Sequence, residues 1–349
     1  MNDNGYAYAK ASWIVGKSFL GKRISSLAGL HSLSDLDRLI FPDSRCELPG
    51  RELLPSLEKR IIERAVRQIL SVVNSYAEPP RLLTRMLKGF EYSDLKDCFA
   101  HIVCGKKNPP VISDIGRFKT IHFKAYPDTA AMLKKTEYEE LLYRDIRSIE
   151  KGMDLTAIDY KLDYKYYSGL IESLSLLDNE EREILSRLIA DEISLRNCLW
   201  ALRLRTYYQK TPVEIKKYLM DFKLVGNINQ RRTYLASDAF ASLDFQLDLR
   251  DDWRGWRWEK FLNPQGLPAK LPAEQSVHWT ADPRYFQNAA SGYLFHLAYH
   301  NFHSSPMSVA AIFCFIKLKQ FEEDLLTSIA EGLSLGINSA AVFKLLEAE

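Results

Sequence analysis

The sequence predicts an all-α fold built from three helical parts of similar size, and three observations predict it. Apolar residues recur at three- and four-residue spacing along most of the chain. Helix start and stop signals bracket those stretches. No run of alternating apolar and polar residues competes with them.

The elements follow in order. A first helix is expected over Tyr8 to Leu20. Gly16-Lys17-Ser18 has the ending of a phosphate-binding loop, but Ala11 stands where its first glycine belongs and no strand can precede it, so a plain helix is the reading. Leu57, Ile61, Ile62, Ala65, Val66, Ile69, Leu70 and Val73 line one helical face, with Glu58, Lys59, Arg60, Glu63, Arg64 and Arg67 opposite; Pro79-Pro80 stops it. Leu95, Cys98, Phe99, Ile102 and Val103 form the next stripe, ended by Gly105 and Pro109-Pro110.

A second block opens with Asp178 and Glu181, the signature of a capping box, and continues through Ile184, Leu188, Leu195, Leu199 and Leu202. Thr211-Pro212-Val213-Glu214 starts a short helix that buries Ile215, Leu219 and Phe222. A third block runs from Ser305-Pro306 through Ile312, Ile316, Leu325 and Ile329 to Gly332. Linkers at Gly105–Tyr126, Gly226–Arg232 and Asn263–Pro283 divide the chain into units 1–115, 116–230 and 231–349. Asp94-Leu-Lys-Asp97-Cys-Phe99, Leu195-Arg-Asn197-Cys-Leu-Trp200 and Phe321-Glu-Glu-Asp324-Leu-Leu326 each set polar residues into a long apolar helix. Thr211 and Asn338 then each lead a short helix, through Ile215 and Leu219 or Val342 and Leu346. Such repetition suits docking scaffolds, in which each unit buries its face on a neighbour.

Composition narrows the function. Of 349 residues 46% are hydrophobic, enough for sizeable cores and against disorder. Lys and Arg number 47 against 45 Asp and Glu, so the net charge of +2 makes no case for a nucleic-acid binder. Five cysteines, with no CxxC pair, read as reduced, buried thiols of a cytosolic protein. Val309 to Ile316, the longest apolar run, is too short to span a bilayer. The polar opening and Lys10, Lys17 and Lys22 give no export signal.

Candidate chemistry is sparse. His296, His300 and His303 share a helical face, but no neighbouring acid or cysteine completes a metal shell, and a histidine-rich helix terminus is the reading. Asp251-Asp-Trp-Arg-Gly-Trp-Arg-Trp258 is a binding hot spot or a core corner with Arg stems on indoles; large aromatics in helical packing favour the core. Asp191, Glu192, Arg196, Arg203 and Arg205 crowd one helix as a solvated face, or as a polar seam turned inward or toward a partner; Asn197 among Leu195, Leu199 and Trp200 favours the seam. No catalytic triad, nucleophile elbow or carboxylate pair stands out, so a structural or interaction role is expected, with no cofactor and no metal.

Five stretches carry a family resemblance. They are Tyr6-Ala-Tyr-Ala-Lys-Ala-Ser-Trp13 with Leu20 and Leu36; Asp94-Leu-Lys-Asp97, with Asp97 where Asn is usual; Leu133-Lys-Lys135-Thr136-Glu-Tyr138, with Lys135 in place of Gly; Leu195 to Arg205; and Ile316-Lys-Leu-Lys319-Gln-Phe-Glu322, ending in Ile329 to Gly332. Leu325 and Thr327 replace the family's Asn and Arg, and Asp244–Pro283 has no counterpart. In this order the chain resembles the C-type component of the V/A-type rotary ATPases and is similar to its d-type equivalent in the vacuolar enzymes. The resemblance implies three helical-bundle units arranged as a funnel with a central cavity, on the cytoplasmic face of the membrane. It implies a noncatalytic central-stalk component that couples the shaft, formed by the D and F proteins of the complex, to the membrane rotor ring for proton or sodium transport. Asp97, Asn197, Arg203, Arg205, Lys319 and Glu322 are its expected partner contacts. The competing expectation is a soluble helical-repeat adaptor unrelated to rotary ATPases; the histidine triplet alone keeps an enzyme in view.

Overall fold

The computed structural model describes residues 3–44, 48–143, 145, 155–224, 233–262 and 279–340. Cys46, the expected linker 226–232, most of the expected linker 263–283 and the stretch through Val342 and Leu346 lie outside them. The fold is all-helical, as the sequence predicts. In order come α1 (Asp3–Gly16), α2 (Leu33–Ile40), α3 (Gly50–Val73), α4 (Arg81–Val103), α5 (Thr129–Leu133), α6 (Glu137–Leu142), α7 (Thr156–Leu174), α8 (Asn179–Thr206), α9 (Pro212–Lys216), α10 (Ser237–Ser242), α11 (Pro283–Ser304) and α12 (Val309–Ser334). Short 3₁₀ turns include Gly21–Leu27, Arg250–Trp253 and Glu259–Leu262. Among the described residues the sole pleated element is a two-residue antiparallel pair, β1 (Lys223–Leu224) with β2 (Thr233–Tyr234).

Helix α12 organises the molecule. Every residue from Val309 to Lys319 is buried. A helix apolar all round can be stable only in an interior, and α12 packs against α1, α2, α3, α4, α8 and α11. Its Ile312, Phe313, Phe315 and Ile316 join Ala7 and Ala11 of α1, Ile69 and Val73 of α3, Leu83 and Leu87 of α4, and Leu188 and Ile189 of α8 in the central core. That core draws on all three segments 1–115, 116–230 and 231–349. Truncating one of its phenylalanines to Ala costs roughly 3–5 kcal/mol by the usual cavity cost.

Three smaller cores surround it. The C-terminal half of α8 packs with α10, α11 and the tryptophan turns. Phe19 to Ile40 packs with the start of α3 and the end of α12. The end of α4 packs with α5, α6 and the start of α7. The tryptophans are core, as their composition suggests: Trp253, Trp256 and Trp258 are buried, and their indole N–H groups donate to Gln246 O (2.7 Å), Asp238 O (2.9 Å) and Ser194 Oγ (3.2 Å).

Several boundaries depart from expectation. α1 ends at Gly16, not Leu20, because the chain turns there to bury Ser18 and Phe19. α3 ends at Val73, capped by Asn74, before reaching Pro79-Pro80. The third block starts at Val309, where the Ser308 side chain accepts from Ala311 N–H. The box at Thr211 and Glu214 forms in full. At α8 it is half formed: Asp178 accepts from Glu181 N–H, but the Glu181 carboxylate accepts instead from Val309 N–H at 2.6 Å, capping α12. Burial holds for Cys98, Cys198 and Cys314; Cys104 is exposed, because it lies just past the end of α4.

Lys135 sits between α5 and α6 with φ +61°. Backbone there favours glycine, since a Cβ crowds the following carbonyl. This is the position where the resemblance expects Gly. Lys135→Gly is expected to stabilise the chain by about 0.5 kcal/mol, the relieved strain being partly offset by a freer unfolded chain. Equal or lower stability of the variant in urea unfolding contradicts this.

Candidate functional site

Buried charge on long helices marks the site. Lys96 on α4 donates to Asp163 on α7 at 2.6 Å, and Arg196 on α8 donates to the other oxygen of Asp163 at 2.8 Å. One turn back on α8, Glu192 accepts from Lys317 of α12 at 2.7 Å and from the Tyr167 hydroxyl of α7 at 2.9 Å. One polar seam therefore stitches α4, α7, α8 and α12. Asp163, Tyr167 and Lys317 are buried, and a buried charge survives only when paired and hydrogen-bonded. Burial opposes the charge on Arg196, but Tyr167, Asp163 and Glu192 outweigh it and hold its pKa above the ordinary value.

A second buried group anchors the N-terminal segment. Glu322 accepts from Phe19 N–H at 2.7 Å and pairs with Lys319 one turn before it, while the Arg64 guanidinium of α3 stands 3.7 Å away. Lys319 and Glu322 are each 1% exposed. Desolvation, then Arg64, pulls the Lys319 pKa well below its usual value.

Acids gather where α4 meets α12. Asp94 is buried and accepts from the Ser113 N–H (2.9 Å) and hydroxyl (3.1 Å). Burial raises its pKa to about 7, and the charge of Asp97 adds to the rise. Burial likewise raises Glu323 to about 7, with Asp324 and Asp94 contributing. Asp97 and Asp324 are open to solvent, yet desolvation raises both.

The six expected contact residues separate. Asp97 lies on the acidic surface. Asn197, 1% exposed, spends its side chain inside the chain: its amide donates to Met220 O (2.9 Å) and Leu235 O (3.1 Å), and its carbonyl accepts from Met220 N–H (2.8 Å). Asn197 fixes the chain on either side of the β pair, which is the inward seam that its apolar neighbours suggest. Lys319 and Glu322 are internal too. Arg205 donates to Ser242 O (2.7 Å) and to Phe245 O. Arg203, half-buried, donates to Gln287 Oε1 of α11 at 2.6 Å. The partners Asp163, Glu192 and Lys317 are not visible from sequence because they meet across gaps such as 67 and 125 residues.

The histidine candidates lie at the surface. His296, His300 and His303 are exposed near the end of α11, with aromatic rings beside His296 and His303. Among the described residues no three His, Cys, Asp or Glu side chains are placed to hold a metal, and no helix is long and apolar enough to cross a membrane. An open hollow of about 550 Å³ lies elsewhere, walled by Thr136, Glu139, Glu140, Leu141, Tyr143 and Lys161.

Comparison with known proteins places these features in a family context. A family model described as ATP synthase (C/AC39) subunit matches residues 51–343. An uncharacterised protein of Treponema pallidum is 29% identical over 340 residues, covering 95% of this chain and 92% of its own. The C-type component of the A-type ATP synthase of Methanosarcina acetivorans is 23% identical over 217 residues, 62% of this chain and 53% of that protein.

Two substitutions probe the site. Asn197→Leu is expected to cost about 2–4 kcal/mol, because it strands buried backbone groups at Met220 and Leu235; a loss below about 0.5 kcal/mol in urea unfolding contradicts the assignment. Glu323 shows a pH signature. Its folded pKa of about 7 exceeds the ordinary 4.5, so its contribution is complete below the lower value and lost as pH rises through the upper. Glu323→Gln is therefore expected to be more stable than the parent at pH ~8, by about 1–2 kcal/mol after allowance for partial exposure, with the gap closing by pH ~5. A pH-independent gap contradicts the raised pKa.

Proposed function

The chain belongs to the ATP synthase (C/AC39) subunit family, and from that membership we propose that it is the noncatalytic coupler between the shaft and the membrane rotor ring of a rotary V/A-type ATPase. The coarse part follows from the family: it is one component of an ATPase complex, and partner proteins are implied. An adaptor unrelated to rotary ATPases is thereby set aside. The finer part is the assignment of the D and F shaft proteins and of the ring as neighbours, with the chain on the cytoplasmic face, held to the membrane through the ring. The proposed form is a funnel of three helical units that receives the shaft in its cavity.

One observation carries this reading: Asp97 and Asp324 are open to solvent and flank Asp94 and Glu323 where α4 packs on α12. A group of acids with exposed members suits a partner with a basic tip, and electrostatic complementarity of that kind steers and orients docking. The seam supplies the other need of a coupler. A torque-bearing part must not shear between its helices, and Lys96–Asp163–Arg196 and Lys317–Glu192 tie α4, α7, α8 and α12 across it. ATP binding and hydrolysis belong to other members of the complex in this proposal.

The test is recovery of the tagged chain from gently solubilised membranes, with identification of what accompanies it. The D and F shaft proteins and the ring are expected. The double variant Asp97→Lys, Asp324→Lys is expected to lose most of the shaft proteins while its thermal unfolding stays close to that of the parent. Recovery without any rotary ATPase component, or undiminished shaft binding by the folded double variant, overturns the proposal.

A further inference from the structure

The outer face of α1 takes no part in the seam or the cores. Ala7, Ala11 and Ile14 are buried on its inner face, toward α3 and α12. About 100° around the helix from them, Tyr6 and Trp13 stand two turns apart, 59% and 63% exposed. A tryptophan this open is informative, because large apolar side chains are normally mostly covered. The Lys17 ammonium lies 3.9 Å from the centre of the Trp13 ring. The Lys17 carbonyl accepts from the Arg23 guanidinium at 2.6 Å, and that guanidinium lies 4.5 Å from the Phe19 ring. Ile24, next in the chain, is also exposed.

The charge of this patch is one-sided. Among the described residues neither Lys17 nor Arg23 has a carboxylate within 4.0 Å. Asp3, the acid of α1, lies one turn from Tyr6 but about 15 Å along the axis from Trp13 and further from Lys17. A second exposed aromatic group, Tyr207, Tyr208 and Tyr285, differs on this point: Arg284, near Tyr207 and Tyr285, is spent on Asp282 at 2.6 Å. The α1 patch instead combines open Trp and Tyr rings with unpaired cations. Those are the groups that settle at a bilayer interface, rings at headgroup depth and cations on phosphates.

We propose that the outer face of α1, with the 3₁₀ turn that follows it, seats directly on an anionic lipid surface through Trp13, Tyr6, Lys17 and Arg23. This goes beyond attachment through the ring and stands apart from it, since it requires lipid alone.

The experiment uses the full chain with protein-free vesicles, either of phosphatidylglycerol and phosphatidylcholine in equal parts or of phosphatidylcholine only, read by co-flotation. Binding to the anionic vesicles is expected, weakened by high salt and nearly absent on neutral ones. Lys17→Glu and Arg23→Glu are each expected to lower the partition coefficient at least about five-fold. Trp13→Ser is expected to lower it comparably, and Trp13→Phe to restore part of the loss. Val213→Ser, at a 70% exposed site outside the patch, is expected to change nothing. Circular dichroism checks that each variant is folded. Absence of binding to anionic vesicles, or binding indifferent to Trp13 and Lys17, overturns the proposal. A face meant for a protein partner gives that second set of results, and the ring-coupling proposal survives either way.

Discussion

The structure depends on one constraint: the first half of α12 is enclosed on every side, and it brings two lysines into the interior with it. The apolar residues in that position could be satisfied by packing alone, but Lys317 and Lys319 cannot. Each must meet a fixed acid, Glu192 on α8 for the first and Glu322 one turn along α12 for the second. Glu322 in turn holds the Phe19 backbone, 303 residues away in the chain. Helix packing by itself permits sliding by a turn; a buried charge that fits one partner does not.

Buried ion pairs are a poor source of net stability, since desolvation consumes much of the attraction. In this molecule they fix register. The apolar cores supply the cohesion, and the charges determine which turn of α8 faces which turn of α12. The same economy explains the edges of the seam. Where α4 meets α12, burial raises the pKa values of Asp94 and Glu323, and neighbouring acids add to the rise. In the proposed assembly a basic partner faces the exposed acids beside them.

Much of this was legible in the sequence because it is local. Helical stripes, the Thr211 box and the end of α4 at Gly105 depend on residues within a few positions of one another. Asn197 was legible as part of a polar seam because leucines and a tryptophan surround it, but not whether the seam faced inward or a partner; its bonds to Met220 and Leu235 turn it inward. The Asp251–Trp258 cluster was legible as core from its aromatic content, although the cross-chain ties of Arg257 to Asp191 and Asp238 were not. Sequence reasoning failed where distant groups compete for one side chain. Glu181 has the spacing to close its own helix's box, but the bare Val309 N–H of α12 takes its carboxylate instead. Arg205 lies in a run of charges that suggests an outer face, yet it is drawn to the backbone carbonyls of Ser242 and Phe245. No spacing rule reports such partners.

The central claim is that α12 and its charge seam make α4, α7, α8 and α12 one mechanical body. Native-state hydrogen exchange tests it most directly, followed at Leu95–Phe99 of α4, Ile193–Leu202 of α8 and Ile312–Leu318 of α12. The account predicts that these amides share a single opening free energy equal to that of global unfolding. Exchange of the α8 segment through an opening several kcal/mol cheaper than that of α12 would contradict it.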